Sequence, residues 1–304
     1  LPRDQCTALL VGREVTWQST TLQASIDGST MVTHNNDCVD CDFRITKVAA
    51  AEHHSPAQRN IYPVRFAYPR FVGNERSSIY HASNLEPGMI RHLTSSGLFP
   101  WNLTSPLGFI PQAPRTFGYL DGSYPIMNEH HVVLGESTCT GNLVARPLHS
   151  GGRAMFEVSQ LMQVAMERTT TARDAIELMG KLAEKYGYYG SEFEGTGAYG
   201  EAGEALTIAD PWEAWMFHIL PDDTGTSAVW VAQRYGFLVL PYRIPDNHVA
   251  YCVNFFNIGE VNLQDTGHFL GSMNMKEVAI RAGLWNPEKG QSFHFARVFQ
   301  PGIP

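Results

Sequence analysis

Cys6 stands five residues from the start of the chain and opens the apolar run Thr7-Ala8-Leu9-Leu10-Val11-Gly12. A thiol so placed can supply two catalytic groups from one residue. Its sulfur attacks a carbonyl, and once the chain begins at the cysteine, its own α-amine serves as the base. A free α-amine titrates near ~8 and a thiol near ~8.5, so each is close to poised at neutral pH. A cysteine on an apolar strand also suits a packed core position, so the argument for chemistry has to come from the rest of the chain.

The remaining chemistry-bearing pairs are less specific. Cys38-Val39-Asp40-Cys41 has the spacing of a redox or zinc pair, but no second CxxC completes a structural zinc site. A loop disulfide or two unpaired thiols is the simpler reading. With Cys6, Cys139 and Cys252 the cysteines number five, an odd count that accommodates one nucleophile beside structural or paired thiols. His53-His54 and His130-His131 lack HExxH spacing or a matching carboxylate, and both pairs are read as non-metal. Gly195-Thr196-Gly197-Ala198-Tyr199-Gly200 matches GxGxxG. A dinucleotide site needs a strand before it and a helix after it. Tyr186–Gly190 is a poor strand and a β-hairpin is expected to follow, so the match is rejected.

The elements that would hold a site can be read from periodicity. Strands are expected over 6–12 and 29–34, the second opened by the turn Asp27-Gly28-Ser29. Residues 53–116, rich in Pro, Tyr, Arg and His, read as long irregular chain of the kind that walls active sites. Strands are expected to resume at 116–120 and 131–135. A helix is predicted over 153–168, with Met155, Val158, Met162 and Ala165 on one stripe. A second starts at the capping box Thr171 to Asp174 and runs through Ala175, Leu178 and Leu182 toward Gly187. Strands follow near 213–220, 227–233 and 248–254, the first two joined by Pro221-Asp222-Asp223-Thr224-Gly225. Trp215, Phe217 and Ile219 alternate with Ala214, Met216 and Leu220, so this strand is apolar on both faces and must be covered on both. Such an order implies layered α/β packing in one domain.

Composition bounds the partners. The chain has 304 residues, 43% hydrophobic and 17% charged, with a formal charge of −8. That balance suits a globular protein and argues against nucleic acid. No stretch approaches the ~20 apolar residues of a membrane helix, so no membrane partner is expected. The chain starts at Leu1 rather than Met, which is read as the result of an upstream removal or omission. Asn102-Leu103-Thr104 is a glycosylation sequon, and it tilts the expected localisation toward a secretory or lysosome-like compartment.

Several blocks in order resemble the cysteine dipeptidase family, the dipeptidase A and secernin-like branch of the N-terminal nucleophile hydrolases. They are Cys6–Gly12, Asp27–Thr30 through Asn35-Asn36-Asp37, and Gly118-Tyr119 through Ile126–His130. Gly135-Glu136-Ser137-Thr138-Cys139, Asp210–Trp215, Val229–Arg234 and His248-Val249-Ala250 through Asn254-Phe255-Phe256 and Phe269–Ser272 complete the set. The resemblance implies a four-layer αββα sandwich, self-cleavage before Cys6, and dipeptide hydrolysis with no cofactor and no metal. It makes Cys6 the nucleophile, Asn254 an oxyanion-hole residue at a strand end, and Asp37 the residue that holds the amine or thiol. Glu136 would bind the substrate ammonium, which a dipeptidase must recognise to exclude blocked or longer peptides. Ser137 and Thr138 would be oxyanion or substrate contacts, and Asn128 and Glu129 belong to a structural turn.

The chain departs from the family in three places. Where many members carry an Arg that helps to position the nucleophile, this chain has His34, read as a variant of the site. Leu1–Gln5 would be a leader ahead of a domain spanning 6–304. The chain stops at Pro304, while family members usually continue for over a hundred residues. It is then either one fragment of a cleaved precursor, with a second chain as partner, or a shortened chain. A small peptide substrate and homo-oligomers are the other expected partners. Two rival functions remain beside the dipeptidase: an amidase for another small acyl-amide, and a non-catalytic, secernin-like or structural protein that never exposes Cys6.

Overall fold

The strand with two apolar faces organises the molecule. In a computed structural model, which describes residues 5–12, 29–37, 41–63, 76–80, 105–191, 200–235, 249–300 and 302, every residue of Ala214–Pro221 is buried. Trp215, Phe217 and Ile219 enter one core and Met216 and Leu220 another, as the alternation predicts. Burying one such aliphatic or aromatic side chain contributes roughly 1.5–3 kcal/mol, so a strand feeding two cores belongs at the centre of a sheet.

In chain order the strands are β1 (Gln5–Val11), β2 (Met31–Asp37), β3 (Thr46–Val48), β4 (Ala51–Glu52), β5 (Gln58–Ile61), β6 (Gly108–Pro111), β7 (Arg115–Thr116) and β8 (Tyr119–Asp121). Then come β9 (Pro125–Asn128), β10 (Val133–Gly141), β11 (Gly200–Ala209), β12 (Ala214–Pro221), β13 (Ala228–Tyr235), β14 (Val249–Cys252) and β15 (Phe269–Gly271). The helices are α1 (Val158–Arg168), α2 (Ala172–Tyr186), α3 (Met275–Arg281) and α4 (Phe295–Phe299). Eight strands form one sheet in the order β15-β13-β12-β11-β10-β9-β8-β3, and all its neighbours run antiparallel. A second sheet has the order β14-β1-β2. The pairs β4-β7 and β5-β6 give order to parts of the segment expected to be irregular.

The large sheet is covered on both sides. Helices α1 and α2 bury Leu161, Met162, Ile176 and Met179 against Leu206, Ile208 and Phe217. On the other face, Leu10, Ala250 and Cys252 of the small sheet share a core with Ala205, Met216, Val229 and Val231, joined by α3 and α4. The fold is therefore α/β, with an α layer, a large antiparallel sheet, and a layer holding the small sheet and short helices. The outer face of the small sheet exposes Leu9 and Tyr251.

Local signals explain most boundaries. Thr171 Oγ1 accepts from Asp174 N at 3.1 Å and opens α2, which ends at Gly187 with φ 77°. The turn after β12 folds around Asp222, whose Oδ1 accepts from the backbone N–H groups of Thr226 and Ser227. One boundary needs correction. The first helix starts at Val158 rather than 153, because Ala154 and Phe156 form bridges to Pro147 and Tyr188 and Glu157 caps the helix through Ser159 N. Gly200 opens a strand, where a dinucleotide fold needs a helix. Residues 195–199 lie outside the described residues, as does the sequon. Among the described residues no helix is long and apolar enough to cross a membrane.

Candidate active site

Strand register brings the candidate residues together. β1 runs between β14 and β2, with Cys6 opposite Asn36 and Ala8 opposite both His34 and Cys252. Side chains on a strand alternate between faces, so Cys6, Ala8 and Leu10 turn inward and are buried, while Leu9 is exposed. The inward face of β1 and β2 lies against β10. β9 pairs with β10 at Val133. Beyond that point, Glu136 and its neighbours flank Cys6 on one side and β11 on the other.

Cys6 carries a thiol, not a disulfide. Its Sγ contacts Asn36 Oδ1 at 3.7 Å, and its backbone N donates to Asn254 Oδ1 at 3.2 Å. Asn254 follows β14 in the left-handed region, φ 56°. Asn tolerates that region better than most residues, and such strain concentrates at functional sites. Its backbone N donates to Ser137 Oγ at 2.9 Å, and its Nδ2 donates to Thr138 O at 2.7 Å. Ser137 Oγ in turn donates to Cys6 O at 3.4 Å. Asn254 thus ties β1 to β10, and one of its two Nδ2 hydrogens is committed to Thr138. Behind this loop, buried His218 accepts at Nε2 from the backbone N–H groups of Asn257 and Ile258 at 3.1 and 3.2 Å. Burial holds its pKa down to about 3, so the ring stays neutral and able to accept.

A carboxylate completes the arrangement. Glu136 is fully buried; Thr138 Oγ1 donates to its Oε1 at 2.9 Å, and its Oε2 lies 3.5 Å from His34 Nε2. Burial alone would push this carboxyl up. Its contacts with His34, Glu204 and Thr138 outweigh burial and hold it below the usual carboxylate range. Glu204, on β11 opposite Thr138, goes the other way: burial and the charge of Glu136 push it well up. The charge of one carboxyl opposes ionisation of the other, so the two titrate as a coupled pair. Glu157 is raised to about 7, chiefly by burial and against the hydrogen bonds from Ser159. A cleft of about 340 Å³ opens beside the site, lined among others by Val32, His34, Asn36, Tyr124, Ile126 and Met127. It offers one polar corner, at His34 and Asn36, and mostly apolar walls.

Of the residues expected from sequence, Cys6, His34, Glu136, Ser137, Thr138 and Asn254 are brought to one place. Asp37 ends β2 opposite Gln5, and its side chain lies outside the described residues. Among the described residues, its neighbour Asn36 contacts the Cys6 sulfur. A period-two reading from His34 signals Asn36, two residues along the same strand face. Glu204, Glu157 and His218 gave no such signal; each is polar within an apolar element and acts across a sheet. Cys41 is disulfide-bonded, and Asn36 Nδ2 donates to its sulfur at 3.8 Å. Residues 126–302, more than half of the chain, match the model of peptidase family C69. That span contains Glu136, Ser137, Thr138 and Asn254, while Cys6, His34 and Asn36 lie ahead of it.

Proposed function

Because this chain belongs to peptidase family C69 and is a cysteine peptidase of the dipeptidase kind, we propose that it hydrolyses dipeptides with Cys6 as an N-terminal nucleophile. The observation that carries this reading is the pairing at Cys6. Its nitrogen and its sulfur each face a fixed side-chain oxygen, and a buried carboxylate stands within 4.8 Å of the sulfur. A base and a nucleophile on one residue need that double restraint.

The chemistry starts with maturation. The Cys6 thiol attacks the Gln5 carbonyl carbon, the acyl group moves from nitrogen to sulfur, and water cleaves the thioester to leave Cys6 with a free amine. In turnover the amine takes the thiol proton as sulfur bonds to the scissile carbonyl carbon. The proton then passes to the leaving amine as the C–N bond breaks. Water, deprotonated by the same amine, releases the acid and restores the thiol. Asn254 Oδ1 keeps the Cys6 nitrogen in place, and the uncommitted Nδ2 hydrogen of Asn254 is the oxyanion donor, a contact worth on the order of 3 kcal/mol. Glu136 takes the substrate α-ammonium, and His34 steadies that carboxylate. An outer helical layer over Leu9 and Tyr251 would complete the αββα sandwich; their exposure supports it.

A dipeptide panel tests the reading. Cys6→Ala drops turnover to background. Glu136→Gln removes a charge-assisted contact of about 1.5–3 kcal/mol, which raises KM roughly tenfold to a hundredfold. N-acetylated dipeptides are not cleaved by the wild type. Equal cleavage of blocked and free dipeptides would instead mark an amidase for other small acyl-amides. An active Cys6→Ala enzyme would remove Cys6 from the mechanism.

A further inference from the structure

Cys6, His34 and Glu136 present a thiol, an imidazole and a carboxylate, and one donor atom from each lies within 4.8 Å of the other two. Among the described residues this is the one such convergence. His34 Nε2 and Glu136 Oε2 are 3.5 Å apart. Two bonds of 2.0–2.1 Å at the tetrahedral angle around zinc place such atoms roughly 3.3 Å apart, so this edge of the tetrahedron is already built. Both atoms are out of reach of solvent, and their 3.5 Å separation is long for a hydrogen bond. The Glu136 side chain is completely buried. A buried carboxylate oxygen and a ring nitrogen held at this spacing leave room for one cation to bind both.

We propose that these three residues form an inhibitory zinc site laid across the nucleophile. Thiolate with imidazole and carboxylate selects zinc over magnesium or calcium, which prefer all-oxygen sets. Binding converts the Cys6 thiol to thiolate and releases its proton. The 3.7 Å contact of Sγ with Asn36 is long and yields to a Zn–S bond of about 2.3 Å. The fourth position takes water or, in a chain that begins at Cys6, the α-amine, which closes a five-membered N–S chelate ring. The ligands come from β1, β2 and β10 and have no local spacing. Zinc here holds the sulfur and the ammonium-binding carboxylate at once, so it competes with substrate. That consequence rests on the proposed function; metal binding itself does not.

The metal-stripped protein, with its Cys41 disulfide intact, is titrated with Zn²⁺ against a chromophoric chelator, and with Co²⁺ followed by thiolate-to-cobalt charge-transfer absorption. One equivalent of Zn²⁺ is expected, with the charge-transfer band present. His34→Ala, His34→Gln and Glu136→Gln are each expected to weaken binding roughly tenfold or more, with thermal unfolding showing that each variant is folded. In the active enzyme Zn²⁺ raises KM without lowering kcat, and chelator reverses it. No stoichiometric binding, no charge-transfer band, or unchanged affinity in all three variants overturns the site. Zinc binding as described in a chain that cleaves no dipeptide upholds the site and removes the dipeptidase reading. Full dipeptidase activity indifferent to zinc does the reverse.

Discussion

Three buried carboxyls crowd behind Cys6, and they do not titrate alike. Glu136 is held down, Glu204 is pushed up, and Glu157 stands at about 7. Between its ordinary 4.5 and that value, the folded protein binds the Glu157 proton more tightly than the unfolded chain does. Its contribution to stability is full below pH 4.5 and is lost as pH rises through 7, a change on the order of 3 kcal/mol. His218 has the opposite sign. Its ring is held neutral to about 3, so its contribution is full above pH 6.5 and is lost as pH falls toward 3. The two oppose each other between pH 4.5 and 6.5, so Glu157 is read by difference. Urea unfolding of Glu157→Gln should gain on the wild type by about 3 kcal/mol from pH 4.5 to pH 8. Parallel pH curves would show that folding does not raise the Glu157 pKa.

At the scale of elements, the site depends on how closely β2 approaches β10. A Cβ at Gly135 would lie 2.9 Å from Val32 Cγ1, 3.1 Å from Thr33 O and 2.6 Å from Thr207 Oγ1. Gly135→Ala must therefore push β2, and His34 with it, away from Glu136. The expected cost is about 1–3 kcal/mol of stability, with a fall in kcat/KM larger than the stability loss alone produces; a kcat/KM equal to wild type would show that the gap adjusts freely. Helix α1 is tied down by a buried ion cluster. Glu167, held down to about 2 by Arg59 and Arg76 against the effect of burial, lies 2.6 Å from Arg76 Nη1 and 3.1 Å from Arg59 Nε. Glu167→Gln leaves two buried guanidinium groups without their counter-ion and should cost about 3–5 kcal/mol in denaturant unfolding. A loss below 1 kcal/mol would mean that the arginines find other partners. Elements with strong local signals were legible beforehand, such as the Thr171 cap and the doubly apolar β12. The start of α1 was not, because bridges from Ala154 to Pro147 and from Phe156 to Tyr188 override helical periodicity there. The pairing of β5 with β6 joins residues far apart in sequence and leaves no local period to read.

Across the whole molecule, the site is assembled from the start of the chain, the first long strand of the large sheet and the loop after β14. The resemblance to dipeptidases named six of its members, since whole sequence blocks carry them. The carboxyl cluster and His218 stayed hidden, because burial and cross-sheet neighbours give them their character, and neither leaves a trace in spacing. The same architecture explains how a single cysteine can be restrained at both sulfur and nitrogen: β1 is the middle strand of the small sheet, with Asn36 on one neighbour and Asn254 just past the other. Under the proposed function, that restraint serves catalysis only when the Cys6 nitrogen is an amine. The most direct measurement is the intact mass and N-terminal residue of fractions resolved by dipeptidase activity. The account predicts that activity follows a chain beginning at Cys6 and is lacking in chains that still carry Leu1–Gln5. Full activity in a chain with that leader attached would contradict it, because the Cys6 nitrogen would then be an amide and unable to act as a base.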